Sequence, residues 1–542
     1  MTQFPKMNGK RVAVIGAGVS GLVGIKTCVE EGLQPVCFEK QQQLGGAWVY
    51  DEDGGSDPNG PASVYDKLIT NICKENMAYS DFSYPQHVPP FPKRQDVLQY
   101  YIDYAEKFNL NKYIKFDTAV LEVTKTADFQ ETGRWSVRFM HKDGQIEREI
   151  FNAVLVCTGM YSSGMVPDYP GKNEFHGQIL HGGQFRTGRH FQDKTILVIG
   201  SSHSAGDIAC MSCDYAKQVY VSMRDGAWIV PRILNGRPAD TYVNQRWKDL
   251  IPKWIYNYLV KRAMNSSQDW RTLGIQSSKH PAFTKCVMLN DQLPVKIMSG
   301  QVMVRSGVER FEGSRVIFDD GSYLEDVDCV ICATGYNVET PFLEENILFD
   351  DSNELELYMN VIPPKLAHPT LAAIGLFRSR GGVGSTVELQ VRYAISVFKK
   401  EVKLPSRQDM MADILRRKSA IIKHFGGEFQ PRILPTTYND ELARAIGALP
   451  NVWSLVFSDP ILAYHYYFSP AYPPWTRLVG PYSKPDARQR ILQCGKDLVR
   501  GIELKTVRPR ALKRLDHDDR NRTVLYAFFV LCVMGFFLAV VF

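Results

Sequence analysis

The stretch from residue 11 to residue 21 reads RVAVIGAGVSG, and it determines the fold of the first part of the chain. RVAVI is a short apolar run of the kind that forms a buried parallel strand. In the GxGxxG that follows, the first glycine permits a tight turn, the second lets the backbone approach a pyrophosphate and the third lets the helix pack closely on the strand. The sequence therefore predicts a strand, a turn and a helix that bind a dinucleotide through Gly16, Ala17, Gly18, Val19, Ser20 and Gly21.

Two later elements extend this first nucleotide site. The sequence PVCFE predicts a second strand that ends at Glu39, where a carboxylate can accept a hydrogen bond from a ribose hydroxyl. The segment LGGAW follows at residues 44–48, and paired glycines before an aromatic residue suit a loop that passes close over a dinucleotide. Ala47 and Trp48 are therefore further candidate contacts, although a buried tryptophan in a turn is equally compatible with this pattern.

A second fingerprint follows the apolar run TILVI at residues 195–199. Its pattern is GxSxxA, with serine in place of the second glycine, and a serine hydroxyl there can donate to a phosphate. We expect the helix after it to begin with Asp207. The predicted nucleotide contacts are Gly200, Ser201, Ser202, His203 and Ser204.

The charge after the next strand predicts which nicotinamide cofactor binds at this second site. Residues 218–222 form that strand, and Arg224 lies where an arginine binds a 2′-phosphate, which favours NADPH over NADH. Asp225 beside it weakens this preference. An arginine that is merely solvated at the surface is the alternative interpretation.

Two further strands end in a Thr-Gly turn, one on each side of the second fingerprint. They are VLVCTG at residues 154–159 and DCVICATG at residues 328–335, and they indicate crossings between two nucleotide-binding domains. We therefore predict an α/β fold with two Rossmann-like dinucleotide-binding domains, the second inserted in the first. The predicted segments are 1–165 and 331–510 for the first domain, and 166–330 for the second, with a helical insertion at about 235–290.

Composition excludes several other classes of protein. The 542 residues are 44% hydrophobic and 23% charged, which is typical of globular domains and not of disordered chains. A net charge of +6, dispersed along the chain, does not indicate nucleic-acid binding. The 11 cysteines are scattered and odd in number, which favours a reducing compartment over a disulfide scaffold. The CxxC pairs at 210–213 and 329–332 are better interpreted as packed thiols than as a zinc site, and we predict no metal.

Two segments carry signals for membrane contact. Residues 524–542 (VLYAFFVLCVMGFFLAVVF) contain no charge, and a helix of this length spans about 28 Å, roughly one bilayer core. Basic residues crowd the preceding segment, which predicts a tail anchor with the body in the cytosol, and a buried core helix is the alternative. Residues 247–262 mix aromatic and basic side chains, which suits a helix on the membrane surface, a substrate-entry lid or a core-packed insertion.

Taken in order, these elements closely resemble the flavin-containing monooxygenases of the microsomal, dimethylaniline monooxygenase type, from about residue 10 to the C-terminus. The most specific stretch is FxGxxxHxxxF at residues 175–185, which fits that family's signature, whereas the related Baeyer–Villiger enzymes usually have tryptophan at the position of Phe185. TNICKEN at 70–76, CATGY at 332–336 and ELQVRYA at 388–394 are also similar. The chain departs from the family at Ser202 and His203, where Gly-Asn is usual, and at Asp225, where a second basic residue is common.

The resemblance implies a reaction and its cofactors. NADPH reduces FAD in this family, and O2 then forms a C4a-hydroperoxyflavin that oxygenates soft nucleophiles, chiefly the nitrogen or sulfur of lipophilic xenobiotics and in some relatives a ketone. The resemblance implies that Asn71 is the active-site asparagine beside the flavin, and that Ile72, Thr334 and Gln390 also contact cofactor. It also implies the endoplasmic reticulum membrane as the location. The oligomeric state is not predicted.

Two other functions stay open at this point. A tail-anchored amine oxidase combines a flavin fingerprint with a C-terminal helix, but it needs no second nucleotide site. A flavoprotein with NADPH oxidase activity or a redox-sensing role is compatible with the unusual Ser202 and Asp225. Turnover of a simple sulfide would exclude this second alternative.

Overall fold

The first part of the chain alternates strands and helices around the first glycine motif. The computed structural model describes residues 9–52, 62–267, 269–275, 287–344, 347–425 and 431–506. The elements of this part are β1 (Arg11–Ile15), α1 (Val19–Glu30), β2 (Gln34–Phe38), α2 (Lys74–Met77), α3 (Arg94–Lys107), β3 (Ile114–Lys115), β4 (Thr118–Lys125), α4 (Phe129–Thr132), β5 (Trp135–His141), β6 (Ile146–Phe151), β7 (Ala153–Val156) and β8 (Ser163–Gly164).

The middle part is built around the second fingerprint. Its elements are β9 (Gln178–His181), β10 (Thr195–Ile199), α5 (His203–Ser212), β11 (Gln218–Ser222), β12 (Trp228–Val230), β13 (Ile233–Leu234), β14 (Arg237–Pro238), α6 (Ala239–Val243), α7 (Lys253–Ser267), β15 (Val287–Leu289), α8 (Leu293–Met298), β16 (Val302–Arg305), β17 (Val308–Glu312), β18 (Arg315–Phe318), β19 (Tyr323–Leu324), β20 (Cys329–Cys332) and β21 (Tyr336–Asn337).

The last part is mainly helical. Its elements are β22 (Leu371–Ala373), β23 (Arg378–Ser379), α9 (Gly384–Phe398), α10 (Arg407–Phe425), β24 (Arg432–Ile433), α11 (Pro435–Ala445), α12 (Val452–Ser458), α13 (Pro460–Phe468) and α14 (Ala487–Thr506). Short 3-10 turns lie at Gly46–Trp48, Asn111–Tyr113, Lys172–Glu174, Gly182–Gln184, Gly188–Phe191, Arg246–Leu250 and Pro473–Arg477.

Two parallel five-stranded sheets organise these elements, and they confirm the predicted α/β class. The first has the order β22-β7-β1-β2-β3 and the second the order β16-β11-β10-β20-β9. All neighbours in both sheets pair in parallel. Because β22 pairs with β7, the chain returns to the first sheet after it has completed the second.

Each sheet is buried on both faces, which explains the continuous apolar runs of its central strand. In β1, Val12 and Val14 face α1 and α9, whereas Ala13 and Ile15 face the antiparallel sheet β4-β5-β6. In the second sheet one face packs on α5 and the other on the antiparallel sheet β17-β18-β19. The carboxyl ends of both central strands are thereby fixed, and the two glycine motifs begin at these ends.

The helix after the second fingerprint begins at His203 and not at Asp207, so that prediction was wrong by four residues. Ser202 adopts an extended conformation as the residue before the helix, and the chain enters α5 directly from the turn at Gly200. The physical reason is that the motif places helical N–H groups beside the nucleotide, which requires the helix to start immediately after the turn.

The predicted membrane segment, residues 524–542, lies outside the described residues. Within the described ranges, no helix is both long enough and apolar enough to cross a bilayer.

Candidate cofactor and substrate site

The two glycine motifs meet at one large cavity of about 2120 Å³, formed where the carboxyl ends of the two parallel sheets face each other. Most of the residues predicted to contact cofactor line it, namely Gly16, Gly18, Val19, Ser20, Glu39, Ala47, Trp48, Asn71, Ile72, Gly200, Ser201, Ser202, His203, Ser204, Arg224 and Thr334. Three predicted residues, Ala17, Gly21 and Gln390, are not part of its wall.

The first motif has the close packing that its glycines predict. A Cβ on Gly21 would lie 1.8 Å from the carbonyl oxygen of Gly16, so only glycine lets α1 pack so tightly on the turn. Gly16 itself has a φ of +100°, and a Cβ there would lie 2.8 Å from the carbonyl oxygen of Cys157. Gly21 therefore supports the site without lining it. The cradle left open at Gly16 and Gly18 fits a dinucleotide pyrophosphate.

Glu39 directly follows β2 and is 5% exposed. Its carboxylate accepts hydrogen bonds from the backbone N–H of Ala17 at 2.7 Å and of Gln41 at 2.9 Å. Ala17 does not line the cavity, but its backbone N–H holds the Glu39 carboxylate in place. Since a carboxylate has about four acceptor sites, Glu39 can still accept a hydrogen bond from a ribose hydroxyl in the cavity.

Asn71 lies in the loop that leads into α2. The loop is fixed by neighbouring residues, because the Thr70 N–H donates to the Pro92 carbonyl at 3.0 Å and the Arg232 Nε donates to the Thr70 carbonyl at 3.3 Å. The Asn71 Oδ1 is buried and has no hydrogen-bond partner in the described protein. A buried acceptor without a partner is costly, so this amide is suited to a donor on a bound ligand.

The second motif, like the first, begins with a glycine at a position that has no room for a side chain. Gly200 has a φ of +151°, and a Cβ there would lie 2.6 Å from the carbonyl oxygen of Ala333. The Ser202 side chain makes no capping bond to α5, and Ser202 is exposed in the cavity wall. Its hydroxyl is therefore available to a phosphate. The turn and the free amides of the first helical residues fit a second dinucleotide.

His203 occupies the first position of α5. Its Nδ1 accepts the Leu289 backbone N–H at 2.9 Å, and desolvation, with a smaller contribution from Arg232, lowers the pKa of His203 to about 4. The ring is therefore neutral at physiological pH. Because Nδ1 is the acceptor, Nε2 carries the proton, and His203 offers a fixed N–H donor at the cavity wall.

Arg224 follows β11 as predicted. Its side chain is 80% exposed, and its Nε lies 3.8 Å from a carboxylate oxygen of Asp225. The guanidinium is therefore free to bind an anion at the end of the second sheet, and the weak pair with Asp225 is screened by solvent.

Gln390 lies in the interior of α9, away from the cavity, and is 0% exposed. Its Oε1 accepts the Gly375 N–H at 2.9 Å, and its Nε2 donates to the Asn360 carbonyl at 3.1 Å and to the Tyr438 hydroxyl at 2.8 Å. All its polar groups are used within the protein. The Gln390 side chain therefore fixes α9 behind the cavity wall, and its contact with a cofactor stays a prediction.

The signature histidine, His181, holds the turn between the two sheets. Its Nδ1 accepts the Gly183 N–H at 3.1 Å, and its Nε2 lies 2.9 Å from the Gly335 carbonyl, to which it donates. Thr334, next to that carbonyl, lines the cavity and donates its hydroxyl proton to the Met165 carbonyl. This arrangement fixes one of the two crossings between the nucleotide-binding units.

Helix α7 accounts for most of the aromatic and basic segment at residues 247–262. Tyr256 and Val260 line the cavity, whereas Trp254 is 73% exposed and Tyr258 is 61% exposed. The helix therefore separates the cavity from solvent and presents an apolar face on its outer side. This geometry agrees with the lid and membrane-surface interpretations better than with a core-packed insertion.

The structure adds one residue that sequence reasoning missed. Asp240, in α6, lines the cavity and contacts the loop that carries Asn71. No motif marks it, because a single aspartate between ordinary residues has no periodic or spacing signal. The four thiols of the two CxxC pairs are unbridged, and no group of three or more His, Cys, Asp or Glu side chains in the described ranges could hold a metal ion.

This fold and cavity define a class: an α/β protein with two dinucleotide-binding motifs that open onto one shared cavity, as in two-nucleotide oxidoreductases. The chain belongs to the flavin-binding monooxygenase-like family, whose model matches residues 9–541. The protein is an NADPH-dependent flavin monooxygenase that uses FAD and O2, and the family resemblance of the sequence is confirmed.

Curated relatives of this protein support this assignment over nearly the whole chain. It is 39% identical to dimethylaniline monooxygenase (N-oxide-forming) 2 of Rattus norvegicus, over 93% of this chain and 95% of the relative. It is 40% identical to flavin-containing monooxygenase 5 of Homo sapiens, over 90% of this chain and 92% of the relative.

A solved structure confirms the architecture. The S-allyl-L-cysteine S-oxygenase of Allium sativum superposes with a TM-score of 0.63 at 23% identity, covering 91% of this chain and 99% of that enzyme. A cyclohexanone monooxygenase in its open form superposes with a TM-score of 0.57 at 16% identity, covering 81% of this chain and 97% of that one. At these identities the likeness establishes the fold alone.

Proposed function

We propose that this monooxygenase transfers one oxygen atom of O2 to the nitrogen or sulfur of lipophilic small molecules. The observation that carries the proposal is the shared cavity, which places both nucleotide motifs and the unpartnered Asn71 amide around one space. Apolar side chains such as Val260, Phe377 and Leu434 line the same space, which suits an apolar substrate. Two of the similar proteins are named for N-oxide formation and S-oxygenation.

The protein's part in the reaction is binding, orientation and exclusion of water. FAD and NADPH, when bound, supply hydride transfer and the reduction of O2 that releases the second oxygen atom as water. The first motif and Glu39 would hold FAD, whereas Ser202 and Arg224 would hold the phosphates of NADPH. Asn71 is a neutral amide, so it can hydrogen-bond to ligand without introducing a charge beside the reacting atoms.

The test of this function measures product formed per NADPH consumed, with a simple aryl sulfide in aerated buffer. We expect a ratio near one for the natural protein. Asn71→Ser should raise the amount of hydrogen peroxide released per molecule of product about fivefold and so lower that ratio, because losing one hydrogen bond is worth about 1 kcal/mol.

The matched control is Asn257→Ser. Asn257 also lines the cavity but lies on the exposed side of α7, so we expect its ratio to stay unchanged. NADPH consumption with hydrogen peroxide as the sole product in the natural protein would establish the oxidase alternative instead. Equal uncoupling in both variants would remove the assigned role of Asn71.

We also propose the domain boundaries and the location that the sequence predicts. FAD binding is assigned to 1–165 and 331–510, and NADPH binding to 166–330, a division that the two separate parallel sheets support. The apolar run at 524–542 is assigned as an anchor in the endoplasmic reticulum membrane with the body in the cytosol. Deleting residues 524–542 should release the protein from microsomes into the soluble fraction, while retention in the pellet would contradict the anchor.

A further inference from the structure

A buried carboxylate lies in the cavity wall beside the loop of Asn71. Asp240 is 5% exposed, and one of its oxygens, Oδ2, accepts all the hydrogen bonds that other described residues donate to its side chain. The donors are the Cys73 N–H at 3.3 Å, the Cys73 thiol at 3.1 Å and the Asn76 Nδ2 at 2.6 Å. The other oxygen, Oδ1, is buried and has no hydrogen-bond partner in the described ranges of the chain.

Asp240 also lacks a counter-charge. In the part of the chain that the structure describes, no lysine or arginine pairs with it, whereas the carboxylate of Asp207 on α5 faces Arg232 at 3.7 Å. The titratable groups that face Asp240 are the Cys73 thiol and the Tyr472 phenol, and burial raises the pKa of both, so both are neutral. A buried carboxylate without a cation costs stability, and such groups concentrate at functional sites.

The atoms around Asp240 indicate which ligand would supply the missing hydrogen-bond donor. Both Asp240 Oδ1 and Asn71 Oδ1 are acceptors without donors, on residues that line the same cavity. Two such acceptors, one of them on a carboxylate without a paired cation, are matched by a cationic N–H group. Burial raises the pKa of Asp240, which makes its carboxylate a stronger proton acceptor than an exposed one.

We propose that Asp240 is a catalytic residue for amine substrates: its carboxylate binds the N–H of a protonated amine and accepts that proton before oxygen transfer. The proposal rests on the proposed function and deepens it, since it selects basic amines within the class of soft nucleophiles. Proton removal frees the nitrogen lone pair, which then forms the new N–O bond. The proton moves from Asp240 into the water formed from the second oxygen atom.

The reaction balances with the reductant and oxidant of the established activity. NADPH, O2 and R3NH+ yield NADP+, R3NO and H2O, and the N–H bond of the ammonium supplies the proton that water formation requires. A sulfide has no N–H bond and no charge, so its oxygenation does not need Asp240. The variant Asp240→Asn should therefore separate the two substrate classes.

The experiment compares N,N-dimethylbenzylamine with benzyl methyl sulfide, which have similar shape but differ in charge at neutral pH. Asparagine keeps an oxygen that can accept the bonds from Cys73 and Asn76 but removes the charge. At about pH 7 we expect Asp240→Asn to lower kcat/KM for the amine about 10- to 100-fold and to leave the sulfide within about threefold. Asp240→Glu, which keeps the charge, should retain measurable preference for the amine.

The pH profile separates this role from a structural one. As pH rises towards the pKa of the free amine, the neutral amine becomes the bound species. The kcat/KM of Asp240→Asn for the amine should then approach that of the natural protein, while its kcat/KM for the sulfide stays constant. The matched control is Asp207→Asn, which removes a carboxylate outside the cavity wall whose oxygens both have donors. We expect it to affect both substrates equally.

Two results would overturn the assignment of Asp240. One is an equal loss of kcat/KM for amine and sulfide in Asp240→Asn, and the other is an amine-to-sulfide ratio of kcat/KM in that variant that does not change with pH. Failure of the natural protein to oxygenate either substrate would instead contradict the proposed function itself. The sulfide rate of each variant reports on folding and cofactor binding, so the two failures are distinguishable.

Discussion

Replacing Gly200 by alanine tests whether the second glycine motif binds NADPH. The φ of +151° at Gly200 is rarely adopted by residues with a side chain, and the new Cβ would lie 2.6 Å from the backbone oxygen of Ala333. The neighbour is backbone in the crossing after β20, so it cannot rotate away, and the turn itself must shift. Strain of this kind costs about 1–3 kcal/mol, which corresponds to about a 5- to 150-fold weaker binding of the nucleotide.

The assay is anaerobic flavin reduction followed against NADPH concentration. We expect Gly200→Ala to raise the apparent Kd for NADPH by that factor while the bound FAD content stays normal, because the first motif is untouched. Gly236→Ala is the matched control, since Gly236 has a φ of +75° but nothing within 4 Å of its Cβ, and it does not line the cavity. A normal apparent Kd for NADPH in Gly200→Ala, or an equal increase of that Kd in Gly236→Ala, would contradict this role of Gly200.

Two further predictions concern charge. Arg224→Ala should raise the KM for NADPH about tenfold and leave that for NADH unchanged, since only NADPH carries the 2′-phosphate, and added salt should narrow the gap because the side chain is 80% exposed. An equal effect on both nucleotides would contradict this role. Burial raises the pKa of Glu75 from 4.5 to about 7, so the folded state favours the protonated acid and loses stability as pH rises from about 4.5 through 7. Glu75→Gln should therefore raise Tm more at about pH 8 than at about pH 5. At about pH 8 it should raise the free energy of unfolding by up to about 3 kcal/mol. An equal increase in Tm at both pH values would contradict this pH dependence.

The nucleotide-binding elements could be predicted from the sequence because their signals are local. The runs RVAVI and TILVI coincide with β1 and β10, and each is bounded by the glycine that forces the turn. Helix α5 was misplaced for a local reason as well: the polar residues Ser201, Ser202 and His203 look like loop, but the backbone geometry of the motif takes precedence over their helix propensity.

Non-local features escaped sequence reasoning. The pairing of β22 with β7 joins residues more than two hundred positions apart, and no periodicity in either strand specifies the partner. Gln390 shows a different limit: family similarity does not distinguish a residue that contacts a ligand from one that fixes a helix behind the cavity wall, and the hydrogen bonds of Gln390 to Gly375 and Tyr438 appear only in the structure.

The site also depends on where the segment after β12 meets the loop of Asn71. Arg232 donates to the carbonyl of Thr70 on one side of that loop, and Asp240 accepts from Cys73 and Asn76 on the other. Groups of opposite charge, eight positions apart in sequence, thus hold the two ends of one short loop. Arg232 pairs with Asp291 at 2.9 Å, whereas no lysine or arginine among the described residues pairs with Asp240, so one end of the loop contacts a paired charge and the other an unpaired one. The fingerprints therefore predict which cofactors bind, whereas the contacts of Asp240 with the Asn71 loop arise only in the tertiary fold and have no signal in the sequence.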